Sequence, residues 1–245
     1  MKYQNLFERA RRGLRILYPP HCPCCEGLLA PDEYESGFCG ACKKEIRRVR
    51  EPVCKVCGKP LKDPCAETCR DCRTIRHLFI QSKSVYLYTG GMKTAMYGLK
   101  YGNRRDYARI FAKAMAEACG IWIRQKRIDL ILPVPMHRGK RNERGYDQAA
   151  LLAKTLSQET GIPFSGDMLI RIRRTRPMKE LNGQERRKNL KNAFKMARSG
   201  VKSKRVLIVD DIFTTGSTMD ACAEVLIKGG AEAVFGMTVV VGEGV

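Results

Sequence analysis

The chain has 245 residues, of which 44% are hydrophobic, and its 46 Lys and Arg against 25 Asp and Glu give a formal net charge of +21. This composition suits a globular protein with one large or two smaller domains. No apolar run approaches the ~20 residues that a membrane-spanning helix needs. Charged residues also interrupt the first 15 positions, so we expect no signal peptide, no membrane span and a cytoplasmic location.

Near the start of the chain, apolar residues recur at helical spacing over residues 5–17. The spacing predicts an amphipathic helix that ends before Pro19, with arginines on its other face. Such a helix can bind a membrane or a partner. Packing against its own domain is the commoner outcome, and we assign this helix no function.

Ten of the twelve cysteines follow, between residues 22 and 72. In a reducing compartment, cysteine pairs at two-residue spacing indicate metal ligation rather than disulfides. The pattern predicts two structural zinc ions, each held by four thiolates with no open position for water. The eight predicted ligands, whose second four repeat the first four at offsets of 30 to 32 residues, are Cys22, Cys25, Cys39, Cys42, Cys54, Cys57, Cys69 and Cys72.

Two questions about these cysteines stay open in the sequence. The first pair can share its metal with the second pair or, in an interleaved arrangement, with the third. Cys24 and Cys65 are left over, and either can replace a neighbouring ligand.

After about residue 80, apolar runs of strand length alternate with helical patterns. Strands are predicted at 85–88, 128–135, 206–209 and 233–241, and helices around 92–99, 105–119, 146–160 and 219–228. This alternation predicts an α/β domain over residues 81–245, with a mostly parallel sheet covered by helices on both faces. The zinc module would form a separate domain over residues 1–80.

The most informative segment is residues 206–218, in which an apolar run ends in Asp210 and Asp211. Two carboxylates at the carboxyl end of a strand can hold the hydroxyls of a sugar. The following loop, with hydroxyl groups and the amides of a helix N-terminus, can hold a phosphate. It consists of Thr214, Thr215, Gly216, Ser217 and Thr218. A polar turn and an ordinary helix cap would explain either half alone, but not both in one string.

The string resembles the signature of type I phosphoribosyltransferases, which bind 5-phosphoribosyl 1-diphosphate. The resemblance implies that the basic, glycine-bearing loop after the 128–135 strand holds the diphosphate, with Arg138, Lys140, Arg144 and Gly145 as binding residues. Residues 171–187 contain little sequence that would form a strand or a long helix, and the resemblance implies a mobile hood there, with a surface linker as the alternative. Mg²⁺ would bridge the diphosphate and the sugar hydroxyls. Residues 137–205 carry a surplus of 13 positive charges, which attracts polyanions.

The whole pattern is similar to that of the ComF family. The resemblance rests on the cysteine module, Leu99-Lys100-Tyr101-Gly102, Pro133-Val134-Pro135, Arg144-Gly145-Tyr146-Asp147-Gln148, Arg186, Asn189, Ala193-Phe194 and Asp210-Asp211. It implies a role in competence, with single-stranded DNA or a DNA-uptake helicase as partner. The family usually has Asn at Asp147 and Gln near Met178.

Three functions compete. A phosphoribosyltransferase would use Asp210 and Asp211 to transfer the phosphoribosyl group to an acceptor that the sequence does not name. A non-catalytic assembly factor would bind DNA or a helicase and use the pocket only to sense a nucleotide-like ligand. A transcription regulator is the third, but the sequence contains no helix-turn-helix pattern.

Overall fold

The computed structural model describes residues 19–175 and 183–242, so the helix predicted over residues 5–17 lies outside them. Its helices are α1 (Gly40–Glu45), α2 (Arg70–Thr74), α3 (Gly91–Tyr101), α4 (Tyr107–Gln125), α5 (Arg138–Arg144), α6 (Gln148–Thr160), α7 (Gly183–Leu190) and α8 (Ser217–Lys228). Its strands are β1 (Gln81–Leu87), β2 (Leu130–Pro133), β3 (Leu169–Arg171), β4 (Phe194–Met196), β5 (Arg205–Phe213) and β6 (Ala233–Val241). Within the described ranges, no helix is both long and apolar enough to cross a membrane.

Four strands form a parallel sheet in the order β1-β6-β5-β2. Leu207 of β5 lies opposite Ile131 of β2 and Phe235 of β6. Every residue of β6 is buried, as expected for a central strand with both faces covered. The predicted mostly parallel sheet is confirmed, and β3 and β4 form a separate antiparallel pair.

Alternate residues of β5 face two different cores. Leu207 and Val209 pack in one core with side chains of α3, α4 and α6. Val206 and Ile208 pack in the other with side chains of α8. This alternation follows from the two-residue period of a strand, and it confirms that helices cover both faces.

β5 is longer than the predicted strand at 206–209, because β6 continues beside it as far as Val241. On the other side β2 ends at Pro133, which pairs with Val209. Asp210 and Asp211 therefore lie within a strand and not after it. They still lie beyond the end of β2, at the carboxyl edge of the sheet.

The basic segment after β2 is mostly a helix, α5, and not the predicted loop. The side chain of His137 accepts a hydrogen bond from the Gly139 amide at 3.2 Å and caps the helix start. Gly145 ends the helix with a φ of +79°, a left-handed conformation that favours glycine. Caps at both ends thus turn a glycine-bearing sequence into two helical turns.

The cysteine module consists of two copies of one local fold. In the first copy the amide of Cys22 donates to the carbonyl of Gly27 at 2.8 Å. In the second copy, 32 residues later, the amide of Cys54 donates to the carbonyl of Lys59 at the same distance. A short helix, α1 or α2, then begins after the third cysteine of each set. The internal repeat predicted from the spacing is confirmed.

The two copies pack on opposite faces of the sheet. Leu29 and Phe38 of the first copy join the core with α3 and α4, whereas Phe79, just after the second copy, joins the core with α8. The segment between the copies covers the edge strand β1, where the amide of Val49 donates to the carbonyl of Val85 at 2.9 Å. Covering an edge strand removes a site for aggregation. The domain boundary at residue 80 stays a prediction, since module and sheet share both cores.

Candidate functional site

Asp210 and Asp211 are the centre of the candidate site. Asp211 is 4% exposed, and its carboxylate accepts a hydrogen bond from Gln148 Nε2 at 3.0 Å. Asp210 is half-buried, and its carboxylate accepts from the Asp211 amide at 2.8 Å. Burial, together with the charge of Asp211, raises the pKa of Asp210. A ligand that donates hydrogen bonds or brings positive charge would therefore stabilise the ionised form of Asp210.

Lys100 balances the charge of Asp211. It lies in the last turn of α3, and its Nζ is 3.1 Å from a carboxylate oxygen of Asp211. Burial opposes the charge of the ammonium group, but the carboxylates of Asp211 and Asp210 raise the pKa of Lys100 overall. Lys100 thus remains protonated and forms an ion pair with Asp211. Lys100 belongs to the motif Leu99-Lys100-Tyr101-Gly102, but its contact with Asp211 is not visible in the sequence, because the two residues are far apart in the chain.

The loop of residues 214–218 connects β5 to α8. Gly216 precedes the helix with a φ of +76°, and no side chain in the described part of the chain caps the amides of the first turn. Ser217 is buried, and its hydroxyl oxygen lies 2.9 Å from that of Thr215, while Thr214 is exposed. Uncapped amides at the positive end of a 12-residue helix suit a phosphate group.

His77, from the end of the cysteine module, packs behind this loop. Its Nδ1 is 2.8 Å from one carboxylate oxygen of Asp220 in α8, and the amide of Leu78 donates to the other oxygen at 2.9 Å. A Cβ atom on Gly216 would lie only 2.8 Å from the His77 ring. Any other residue at position 216 would be strained by the positive φ, and its Cβ would clash with His77. Sequence reasoning missed His77, since more than 140 residues separate it from Asp220.

Basic side chains gather beside the carboxylates. Burial, followed by the charges of Arg171 and Arg144, lowers the pKa of Lys140. Arg144 donates a hydrogen bond to Gln148, the residue that contacts Asp211. The Nε of Arg171 is buried and has no hydrogen-bond partner among the described residues. Mutually repelling cations with an unpartnered guanidinium N–H suit a multiply charged anion such as a diphosphate.

The remaining predicted residues lie farther from this cluster or serve the fold. Arg138 is exposed at the start of α5 and forms no side-chain hydrogen bond or ion pair with the described residues. Gly145 ends α5, and Thr218 lies in the first turn of α8. Of the predicted hood, residues 176–182, with Met178, lie outside the described ranges, and α7 occupies Gly183–Leu190.

Asp147 has a structural role. Its carboxylate accepts hydrogen bonds from the amides of Ala150 at 3.0 Å and Met136 at 3.1 Å, so it caps α6. Burial raises the pKa of Asp147. Because Gln148 is the first residue of α6, this cap also holds Gln148 beside Asp211.

The cysteines form two groups of four, and in each group the Sγ atoms lie within 4.8 Å of one another. Cys22, Cys25, Cys39 and Cys42 form one, and Cys54, Cys57, Cys69 and Cys72 form the other. The pairing is therefore sequential, not interleaved. The Sγ atoms of Cys25 and Cys39 are 3.8 Å apart, which fits tetrahedral zinc with Zn–S bonds of about 2.3 Å. Neither group includes Cys24, which is buried against Gly91, or Cys65, which is exposed.

Comparison with known protein families agrees with this architecture. A family model described as "Double zinc ribbon domain" matches residues 13–73, and one described as "Phosphoribosyl transferase domain" matches residues 147–244. The predicted fold class, a type I phosphoribosyltransferase-like domain preceded by a zinc-ribbon module, is confirmed.

Curated relatives cover most of the chain. "Competence protein F" of Haemophilus influenzae is 31% identical over 219 residues, which is 87% of this chain and 93% of that protein. "DNA utilization protein YhgH" of Salmonella typhimurium is 29% identical over 222 residues, with 89% and 96% covered. "Competence protein ComFC" of Bacillus subtilis is 27% identical over 220 residues, with 87% and 86% covered.

Proposed function

The chain belongs to the family of competence protein F, and from that premise we propose that it binds 5-phosphoribosyl 1-diphosphate with Mg²⁺ and handles incoming single-stranded DNA. The names of the relatives, competence protein and DNA utilization protein, support the DNA role. The phosphoribosyl transferase domain supports the small ligand. The 13 surplus positive charges of residues 137–205 suit both anions.

One observation carries the small-ligand proposal: three kinds of group meet at the carboxyl edge of the sheet. The carboxylates of Asp210 and Asp211 suit the ribose hydroxyls, which donate hydrogen bonds. The uncapped start of α8 suits the 5-phosphate. Lys140, Arg144 and Arg171 suit the diphosphate. A sugar that carries phosphate groups at both ends uses all three.

The residues present also suit transfer chemistry. As the bond from C1 of the sugar to the diphosphate oxygen breaks and the acceptor bonds to C1, positive charge develops on the sugar. Asp210 and Asp211 would stabilise that charge, and the ion pair with Lys100 would hold the carboxylate of Asp211 in position. The basic side chains would hold the departing diphosphate, and the carboxylates of Asp210 and Asp211 would hold Mg²⁺. Mg²⁺, when bound, supplies charge neutralisation of the diphosphate.

A second candidate is an assembly factor for DNA or a helicase whose pocket senses a nucleotide-like ligand without reaction. The contacts of Asp211 favour it, because its two carboxylate oxygens already contact Lys100 and Gln148. Both candidates predict binding, and only the first predicts release of diphosphate. Release of diphosphate therefore separates the two candidates. It is measured after the protein is incubated with phosphoribosyl diphosphate and Mg²⁺, together with either candidate bases or single-stranded DNA as acceptor.

Calorimetry with phosphoribosyl diphosphate and Mg²⁺ tests the shared premise. The double variant D210N/D211N should bind at least about 100-fold more weakly, because hydrogen bonds to charged groups contribute about 1.5–3 kcal/mol each. D32N/E35Q, at exposed positions of the first cysteine copy, is the control with the same charge change. If the double variant folds poorly, D210N alone gives the test, because Asp210 forms no ion pair among the described residues. If D210N/D211N and D210N bind phosphoribosyl diphosphate as tightly as wild type, Asp210 and Asp211 do not form its binding site.

A further inference from the structure

Two tyrosines on α3 form an exposed aromatic surface. Tyr97 is 66% and Tyr101 is 65% exposed, and their ring centres lie 5.1 Å apart, one helical turn from each other. Together they are called the tyrosine shelf. No other Tyr, Phe or Trp in residues 19–175 and 183–242 is exposed. The core face of α3 is filled by Met92, Met96 and Leu99, so packing does not require the shelf.

The tyrosine shelf adjoins the candidate site. The guanidinium carbon of Arg144 lies 4.9 Å from the centre of the Tyr101 ring. Arg144 also donates to Gln148, which contacts Asp211. On the helix, Tyr101 follows Lys100, the ion-pair partner of Asp211. A molecule lying on the shelf would therefore pass along one side of the carboxylates.

The charge around the tyrosine shelf is positive. Arg105 donates to the carbonyl of Gly145 at 3.4 Å, which places its guanidinium at the C-terminal end of α5, the helix that carries Arg144. Neither Arg105 nor Arg144 has a carboxylate partner among the residues that the structure describes, whereas Arg104 is paired with Asp106 at 3.1 Å. Arg105 donates to Asn103 and Gly145, and Arg144 donates to Gln148, but neither guanidinium is neutralised, and their remaining N–H groups suit phosphate oxygens.

Exposed aromatic rings beside unpaired guanidiniums complement a polymer that alternates planar bases with phosphates. Proteins that bind single strands combine such aromatic platforms with a positively charged track. A duplex would not fit, because its bases are stacked on one another and closed to a protein ring.

We propose that the tyrosine shelf binds single-stranded DNA, with bases stacked on Tyr97 and Tyr101 and phosphates held by Arg105 and Arg144. The proposal rests on the DNA-handling role proposed above and adds the place and the mode of binding. The basic segment 137–205 contains few aromatic residues and alone predicts little stacking, but α3 supplies the rings from outside that segment.

The test compares two oligonucleotides by fluorescence anisotropy, a labelled 12-mer of thymidine and an abasic 12-mer of the same backbone, at several salt concentrations. Y97A/Y101A should bind the thymidine strand about 10- to 100-fold more weakly than wild type. Its salt dependence should be unchanged because no charge is lost. Y97F/Y101F, which keeps both rings, should bind within about 2-fold of wild type. The abasic strand should bind Y97A/Y101A and wild type alike.

Controls separate the possible failures. I121A removes an equally exposed apolar side chain from α4 and should change neither affinity, and thermal unfolding shows whether each variant is folded. If wild type binds neither strand, the DNA role and the shelf both fail. If wild type binds thymidine and Y97A/Y101A binds it equally well, the shelf alone is overturned. Sedimentation showing that the tyrosines instead join two copies of the chain would also overturn it.

Discussion

The two zinc ribbons have the same local fold but different neighbours. The first packs its Phe38 ring against Tyr86 and Phe111, with ring centres 6.0 and 6.4 Å away. The second leads into His77, which contacts Asp220 and Gly216 in the loop of residues 214–218. The first ribbon also contacts α3, but at Gly91, about 14 Å along the helix from Lys100.

This difference shows how a duplicated unit can acquire two roles. Ligand spacing determines the shape of each ribbon, because four thiolates on one metal leave the short turns little freedom. The residues around that frame are free to differ. We infer that the first ribbon mainly stabilises the face of the sheet covered by α3 and α4, and that the second also positions the loop of residues 214–218.

Removing each zinc separately should give the largest contrast. C25S/C39S and C57S/C69S change equivalent ligands, and each should lower the zinc content from two ions per chain to one. Loss of the second zinc should weaken binding of phosphoribosyl diphosphate at least about 10-fold, because a loosened ribbon no longer holds His77 against Gly216. Loss of the first should leave affinity within about 2-fold. Metal analysis and calorimetry measure both, and equal losses of affinity would contradict the division of roles.

Phe38→Ala should destabilise the protein without changing the site. The side chain is 5% exposed, and its removal leaves a cavity beside Tyr86 and Phe111, which costs about 3–5 kcal/mol of unfolding free energy. Thr68→Ala, 30 residues later in the second ribbon, is the matched control and should cost under about 0.5 kcal/mol. Urea unfolding gives both values. A lowered ligand affinity in folded Phe38→Ala protein would show that the first ribbon also reaches the site.

His77→Ala should have the smallest effect, about a 10-fold loss of affinity for phosphoribosyl diphosphate, because it removes one buried hydrogen bond to Asp220. His77→Asn keeps a donor near the position of Nδ1 and should restore affinity to within about 3-fold. Lys228→Ala, at the far end of α8, serves as control. Unchanged calorimetric affinity in His77→Ala would mean that the second ribbon only packs against the loop.

The sequence sufficed for the features whose cause is local. Cysteine spacing predicted both zinc groups and their repeat, and alternating apolar runs predicted the parallel sheet with helices on both faces. The string of residues 206–218 predicted a strand, two carboxylates, a loop and a helix start, which the structure contains, while phosphate binding by the loop stays a prediction. The predicted ends of strands were less accurate than the strands themselves. The strand predicted at 206–209 continues as β5 to Phe213, because β6 pairs with it there. In α5, two end caps turned an expected loop into a helix.

Tertiary structure alone decided which distant groups meet. The sequential pairing of cysteines, the ion pair of Lys100 with Asp211 and the contact of His77 with the Gly216 loop all join residues from separate elements. The tyrosine shelf likewise meets Arg144 only in the folded chain. Hydrophobic periodicity and ligand spacing act within one element or one loop, whereas these contacts depend on how elements pack. Sequence therefore determined what the parts of this protein are, and packing determined which of them act together.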